Sequence, residues 1–181
     1  CRMLMQSKRP LLIAGQPMSP GYDEAVCLIG DDESYVPDLV VYIGGSIVSK
    51  RLKRFLRKAK ETWVVNATGE VTDTFMNLTR VIQGDAEVVD DQIRFLLEQE
   101  PHPFVQKWET LLAKVRDHAA DYQPDYSEMA AVKCFETQLM FNVQWSMVNV
   151  HYANSTAIRL ANIFAQNSVY CNRGVNGIEG S

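Results

Sequence analysis

Apolar residues along this chain fall into short blocks, and the period within the blocks changes from one to the next. Pro10–Ala14 (PLLIA), Asp38–Ile43 (DLVVYI) and Thr62–Val65 (TWVV) are near-continuous apolar runs closed by glycine or polar residues. Such runs predict strands buried on both faces of a parallel sheet. Arg80–Gln83 reads as a further short strand, closed by Gly84-Asp85. The blocks between them have helical spacing. Tyr22–Ile29 predicts a short helix. From Ser49 onward, Leu52, Phe55, Leu56 and Ala59 recur at i, i+3, i+4 and i+7, one apolar stripe with Ser49 placed to cap it. Val88–Gln99 repeats the pattern with Val89, Ile93, Leu96 and Leu97. Short strands alternating with helices predict an α/β fold, a parallel Rossmann-like sheet flanked by helices.

The pattern shifts after Pro101 and Pro103. Phe104–Tyr122 predicts a long helix with Val105, Trp108, Leu111, Leu112 and Val115 on its apolar side, broken by Gln123-Pro124-Asp125. Ser127 then caps a helix expected to bury Met129, Val132, Phe135 and Leu139. Ser146–Tyr152 reads as a strand, Asn154–Phe164 as a helix and Ser168–Cys171 as a strand. This is the opening strand-helix-strand of a second α/β domain. The expected division is therefore residues 1–123 and 124–181.

Composition narrows the picture. Hydrophobic residues make up 46% of 181, enough for a buried core, and no apolar run approaches the ~20 residues of a membrane span. The net charge of −4 argues against a nucleic-acid binder. Seven of the 18 Lys and Arg residues lie between Lys50 and Lys60, where a solvated helix face accounts for them. The four cysteines form no CxxC pair and have no histidine at zinc-ligand spacing, so they are expected to be buried or half-buried free thiols of a reducing, cytoplasmic compartment. The chain opens on Cys1 and closes in a glycine-rich loop, and both ends are read as cuts in a longer polypeptide.

Candidate chemistry lies where strands give way to helices, since open α/β sheets bind ligands outside the carboxyl ends of their strands. A strand turning into a helix at Asn154-Ser155-Thr156 leaves backbone N–H groups free. With the Ser155 hydroxyl and Arg159 they form a place for a carboxylate. An ordinary N-cap with a surface arginine has the same spacing. Arg173 sits in Asn172–Gly180 (NRGVNGIEG), whose three glycines permit close backbone approach to a ligand, with Ile178 held apolar within the loop. A plain glycine-rich turn is the competing reading. Lys50 begins the helix after Gly44-Gly45. No GxGxxG or GxxxxGK[ST] phosphate motif occurs.

These segments carry a resemblance. Asn154-Ser155, Arg159 and Asn172-Arg173-Gly174, followed by Gly177-Ile178 and Gly180, resemble the 2-succinyl-5-enolpyruvyl-6-hydroxy-3-cyclohexene-1-carboxylate synthases of menaquinone biosynthesis. The run Ile43–Leu52 is similar to a second segment of that family, in the same order along the chain. Ala153, Val175, Asn176 and Glu179 depart from the family wording.

The resemblance implies a thiamine-diphosphate enzyme dependent on Mg²⁺ or Mn²⁺. It decarboxylates 2-oxoglutarate and adds the carbanion to isochorismate, as a cytoplasmic homo-oligomer acting on small carboxylates, without nucleic acid or membrane span. It places this chain over most of the central domain and the start of the pyrophosphate-binding domain. By the same resemblance Lys50, Ser155, Arg159 and Arg173 contact substrate carboxylates, and Ile178 supports the thiamine. The activating glutamate and the metal motif would lie outside residues 1–181, so this piece alone would not turn over substrate. The alternative is a non-catalytic nucleotide-binding or interaction module of the same α/β class.

Overall fold

The computed structural model describes residues 4, 6–14, 21–44, 47, 49–142, 148–153, 155–165 and 169–171. Four strands, β1 (Pro10–Ala14), β2 (Leu39–Ile43), β3 (Glu61–Asn66) and β4 (Leu78–Gln83), form one sheet in the order β1-β2-β3-β4. Every pair is parallel, with Pro10 opposite Leu39 and Leu39 opposite Glu61. The β3–β4 ladder shifts register between Thr62 and Trp63. Helices α1 (Tyr22–Ile29) and α2 (Lys50–Leu56) fall between successive strands, and α3 (Ala86–Gln99) follows β4. The expected α/β fold is therefore present, and all five residues of β2 are buried, as their continuous apolar run requires.

One face of the sheet packs Leu39, Val41, Ile43, Trp63 and Val65 with Ile93 of α3, joined by Val89 and Leu97 at helical spacing. On the other face Tyr42 meets Phe75 edge-on, with ring centroids 5.1 Å apart. The stripe predicted for α2 is buried at Leu52, Phe55, Leu56 and Ala59. Ser49 caps this helix as expected, its Oγ accepting from the Leu52 N–H at 3.0 Å. Trp108 of α4 (Pro103–Asp121) is 1% exposed and meets the rings of Tyr22, Tyr35 and Phe55.

The chain from Ser7 to Arg9 is held against the sheet by Asp38. Its carboxylate accepts from Ser7 Oγ at 2.5 Å, Arg9 N at 2.9 Å and Lys8 N at 3.2 Å. Burial would raise this carboxyl, but the hydrogen bonds from Ser7, Arg9 and Lys8 outweigh it and hold it below the ordinary aspartate range. A depressed folded-state pKa contributes stability above the unfolded value of about 4, which is lost as pH falls through the folded value. Asp38→Asn is therefore expected to flatten the fall in stability below about pH 4, read from urea midpoints across an acid pH series. An unchanged acid profile would show that the clamp does not carry this linkage.

The chain divides into two compact units, Cys1–Ala113 and Lys114–Ser181, and the division falls within α4. In the second unit α5 (Glu128–Asn142), β5 (His151–Tyr152), α6 (Thr156–Phe164) and β6 (Tyr170–Cys171) follow. β5 and β6 pair in parallel, and the exposed His151 and Tyr170 rings stack at 4.9 Å. Leu139, Val150, Tyr152, Ile158, Ala161 and Val169 form its core.

Three expectations are corrected. Phe135 is 46% exposed and Glu136 is buried in its place, because α5 is apolar around its circumference and the stripe alone does not choose the buried side. The strand predicted from Ser146 contains only His151 and Tyr152 among the described residues, with Val148–Val150 outside it. The free thiols of Cys27 and Cys134 are exposed rather than buried, and Cys171 is half-buried.

Lys133 of α5 donates to Ala119 O at 3.2 Å, Ala120 O at 2.6 Å and Tyr122 O, closing the carboxyl end of α4. A cation suits that end of a helix both by hydrogen bonding and by the dipole. Lys133→Met keeps the stem but removes these bonds, and is expected to cost about 1–2 kcal/mol of stability, allowing for the exposure of two of the carbonyls. Thermal melting checks this, and an unchanged midpoint would reduce the contact to surface decoration.

Candidate functional site

The amino end of α6 is the most unusual turn among the described residues of the second unit. Its apolar positions Ile158, Ala161 and Phe164 are buried, which fixes the inner face. Just before the helix Ser155 adopts φ 72° and ψ −123°, and its side chain makes no capping hydrogen bond. A residue with a Cβ at positive φ is strained, and such strain persists where the surroundings over-determine the backbone. The hydroxyl and the first-turn N–H groups are thus not consumed by each other. The first turn holds no acidic residue. Arg159 lies four residues after Ser155, on the same side of the helix, and both are exposed. Among the described residues Arg159 has no ion-pair or hydrogen-bond partner. A cation at the positive end of a helix is unfavourable by itself, and a bound anion reverses the sign.

Lys50 opens α2, beyond the carboxyl end of β2, where Gly44 turns the chain at φ 48°. Ser49 holds this corner by donating to Asp23 Oδ1 at 2.5 Å, and Arg51 Nε lies 4.0 Å from the same oxygen. Lys50 itself is exposed and has no such partner among the described residues. Glu24, which feels the charges of Asp23 and Arg51, is raised above the usual carboxylate range, chiefly by burial, and its Oε2 has no partner among the described residues.

A third feature lies behind the α6 turn. Glu136 of α5 is 3% exposed, and its Oε1 accepts from the Tyr152 hydroxyl at 2.5 Å. Burial raises the Glu136 carboxyl, with the Tyr152 bond pulling the other way. Tyr152 is likewise raised, by burial first and by the carboxylate second. Glu136 Oε2 is buried without a partner among the described residues. Sequence reading passed over this pair. The available signal was that Val132, Glu136 and Leu139 share one helical stripe, so a carboxylate stands on the apolar side.

No family model matches the chain. Comparison with individual proteins is decisive. The chain is 36% identical over 157 residues, 82% of its length, to the 2-succinyl-5-enolpyruvyl-6-hydroxy-3-cyclohexene-1-carboxylate synthase of Bacteroides fragilis. It is 34% identical to the synthases of the same name from Phocaeicola vulgatus and Bacteroides thetaiotaomicron, with 93% of the chain covered in each case. By sequence, the chain belongs to this synthase family. It spans 26% of the Bacteroides fragilis synthase and 30% of the Phocaeicola vulgatus one.

Of the residues singled out by resemblance to the synthases, Ser155 and Arg159 come together at the start of α6 in the second unit, and Lys50 stands at the start of α2 in the first. Arg173 and Ile178 lie outside the described residues. Among the described residues no group of three or more His, Cys, Asp or Glu could hold a metal ion, and no helix is long and apolar enough to cross a membrane.

Proposed function

We propose that this chain supplies substrate-carboxylate contacts to a thiamine-diphosphate-dependent synthase of menaquinone biosynthesis. In this reading the enzyme decarboxylates 2-oxoglutarate and adds the carbanion to isochorismate. The observation that supports it is the α6 turn, where a strained Ser155 with no cap bond, a first turn without acidic residues and an Arg159 with no partner among the described residues share one exposed corner. Both substrates are carboxylates, and a guanidinium offers a carboxylate two parallel hydrogen bonds where an ammonium offers a point charge. Lys50 and Arg173 are assigned the same task and Ile178 an apolar contact with the cofactor.

The first unit would then be most of the central domain and the second the opening of the pyrophosphate-binding domain. We place the boundary at Gln123-Pro124, after α4, because a linker breaks between elements rather than inside a helix. Thiamine diphosphate supplies the electron sink for decarboxylation when bound. We assign the Mg²⁺ or Mn²⁺ and the diphosphate to parts of the synthase outside the stretch of its relatives that this chain spans, 26% of one and 30% of another. The enzyme is read as a cytoplasmic homo-oligomer acting on small molecules. The test is Arg159→Lys in the complete synthase, measuring kcat/KM for both substrates and affinity for the cofactor. Near-normal kinetics would refute the assignment.

A further inference from the structure

We propose that Glu136 is a positioning residue for the carboxylate site: through the Tyr152 hydroxyl it fixes the turn between β5 and α6 that carries Ser155 and Arg159. The inference rests on the reading of Ser155 and Arg159 given above.

A buried carboxylate with no ion-pair partner among the described residues is a costly way to fill a core. An apolar side chain of similar volume would pack there at no desolvation cost. What the carboxylate adds is direction, since a hydrogen bond constrains distance and angle as an apolar contact does not. Glu136 applies that constraint to Tyr152, the last residue of β5 and three residues before Ser155. The Tyr152 ring lies in the same core as Ile158 and Ala161 of α6 and Leu139 of α5, and it meets the Phe135 ring edge-on at 6.2 Å.

The turn is thus held from both sides. On the strand side stands the Glu136–Tyr152 bond. On the helix side Ile158, Ala161 and Phe164 are buried. Between these anchors Ser155 is kept at φ 72°. With the strand-side anchor gone, the backbone of Ser155 is free to relax toward an ordinary cap, and Arg159 turns with the helix start. A shift of that kind changes how well a carboxylate is gripped without touching the groups that react.

The test uses the complete synthase and three variants, each first shown to be folded by circular dichroism. Glu136→Gln keeps an oxygen for the Tyr152 hydroxyl. The double variant Tyr152→Phe with Glu136→Met removes both polar partners together, which is close to neutral for stability because no orphaned group remains. Arg159→Lys reports on the site itself. We expect KM for the carboxylate substrate to rise about tenfold in the double variant with kcat within about twofold, and to stay within about threefold of the parent in Glu136→Gln. If the double variant does not fold, Tyr152→Phe alone is held to the same expectation. An unchanged KM without the hydroxyl, in a protein where Arg159→Lys is impaired, overturns the positioning role and leaves the site reading intact. An equal rise in Glu136→Gln overturns it as well, since the hydrogen bond would then not be the cause. Normal kinetics in Arg159→Lys overturn the site reading and the positioning with it.

Discussion

Replacing Arg159 with lysine in the complete synthase is expected to lower kcat/KM by about tenfold to a few hundredfold. The loss follows from geometry rather than charge. Lysine preserves the positive charge at the start of α6 but not the planar fork, so one of two parallel bonds to a carboxylate is forfeited. Hydrogen bonds to charged groups contribute roughly 1.5–3 kcal/mol each, and that range sets the span of the expected rate loss. Cofactor affinity is expected to stay near its parent value, because the role proposed for Arg159 is to bind substrate. The stability of the second unit should hardly move, since Arg159 is exposed and the buried positions of α6 are Ile158, Ala161 and Phe164. A selective loss of cofactor affinity would transfer Arg159 to the other partner of the reaction.

Trp108→Ala should be the most damaging single change to the first unit, costing about 3–5 kcal/mol. The indole is 1% exposed, its Nε1–H donates to Tyr35 O at 3.2 Å, and three aromatic rings lie within 5.8 Å of its own by centroid. Alanine leaves a cavity that rigid rings collapse into poorly, and orphans the Tyr35 carbonyl. Urea denaturation should show a lower midpoint at an unchanged slope. Trp108→Phe refills most of the volume and isolates the lost hydrogen bond, for which about 1 kcal/mol is expected. A midpoint unmoved by Trp108→Ala would mean that this aromatic cluster is not holding the unit together.

How much of this was legible depends on whether a local pattern had one solution. β2 reads as a buried strand because Leu39–Ile43 is apolar at every position, and only a strand covered on both faces satisfies that. Leu52, Phe55, Leu56 and Ala59 define a single helical stripe, with Ser49 three residues ahead of it, so both face and cap of α2 follow. α5 offers no such choice. With Met129, Ala130, Ala131, Val132, Cys134 and Phe135 spread around the helix, only tertiary packing decides that Phe135 faces out and Glu136 in. Lys133 reaching Ala120 O, and Asn77 bridging Thr62 and Ala59, join elements far apart in sequence and leave no periodic trace. At the candidate site the residue types and spacing of Ser155 and Arg159 were legible. The positive φ of Ser155 was not, since serine before a helix ordinarily reads as a side-chain cap.

The order of the sheet carries a consequence for how this protein is made. Each strand from β1 to β4 lies beside the one that precedes it in the chain, always in parallel and always on the same growing edge. A ribosome emits the chain in that order. β2 can dock on β1, and β3 on β2, while the rest is still being translated, with no strand waiting for a distant partner. At each stage the growing edge belongs to the newest strand and is covered by the next. Synonymous codon changes that slow translation between Asn66 and Leu78 would prolong the interval in which β3, with Trp63, Val64 and Val65 buried in the finished sheet, stands uncovered.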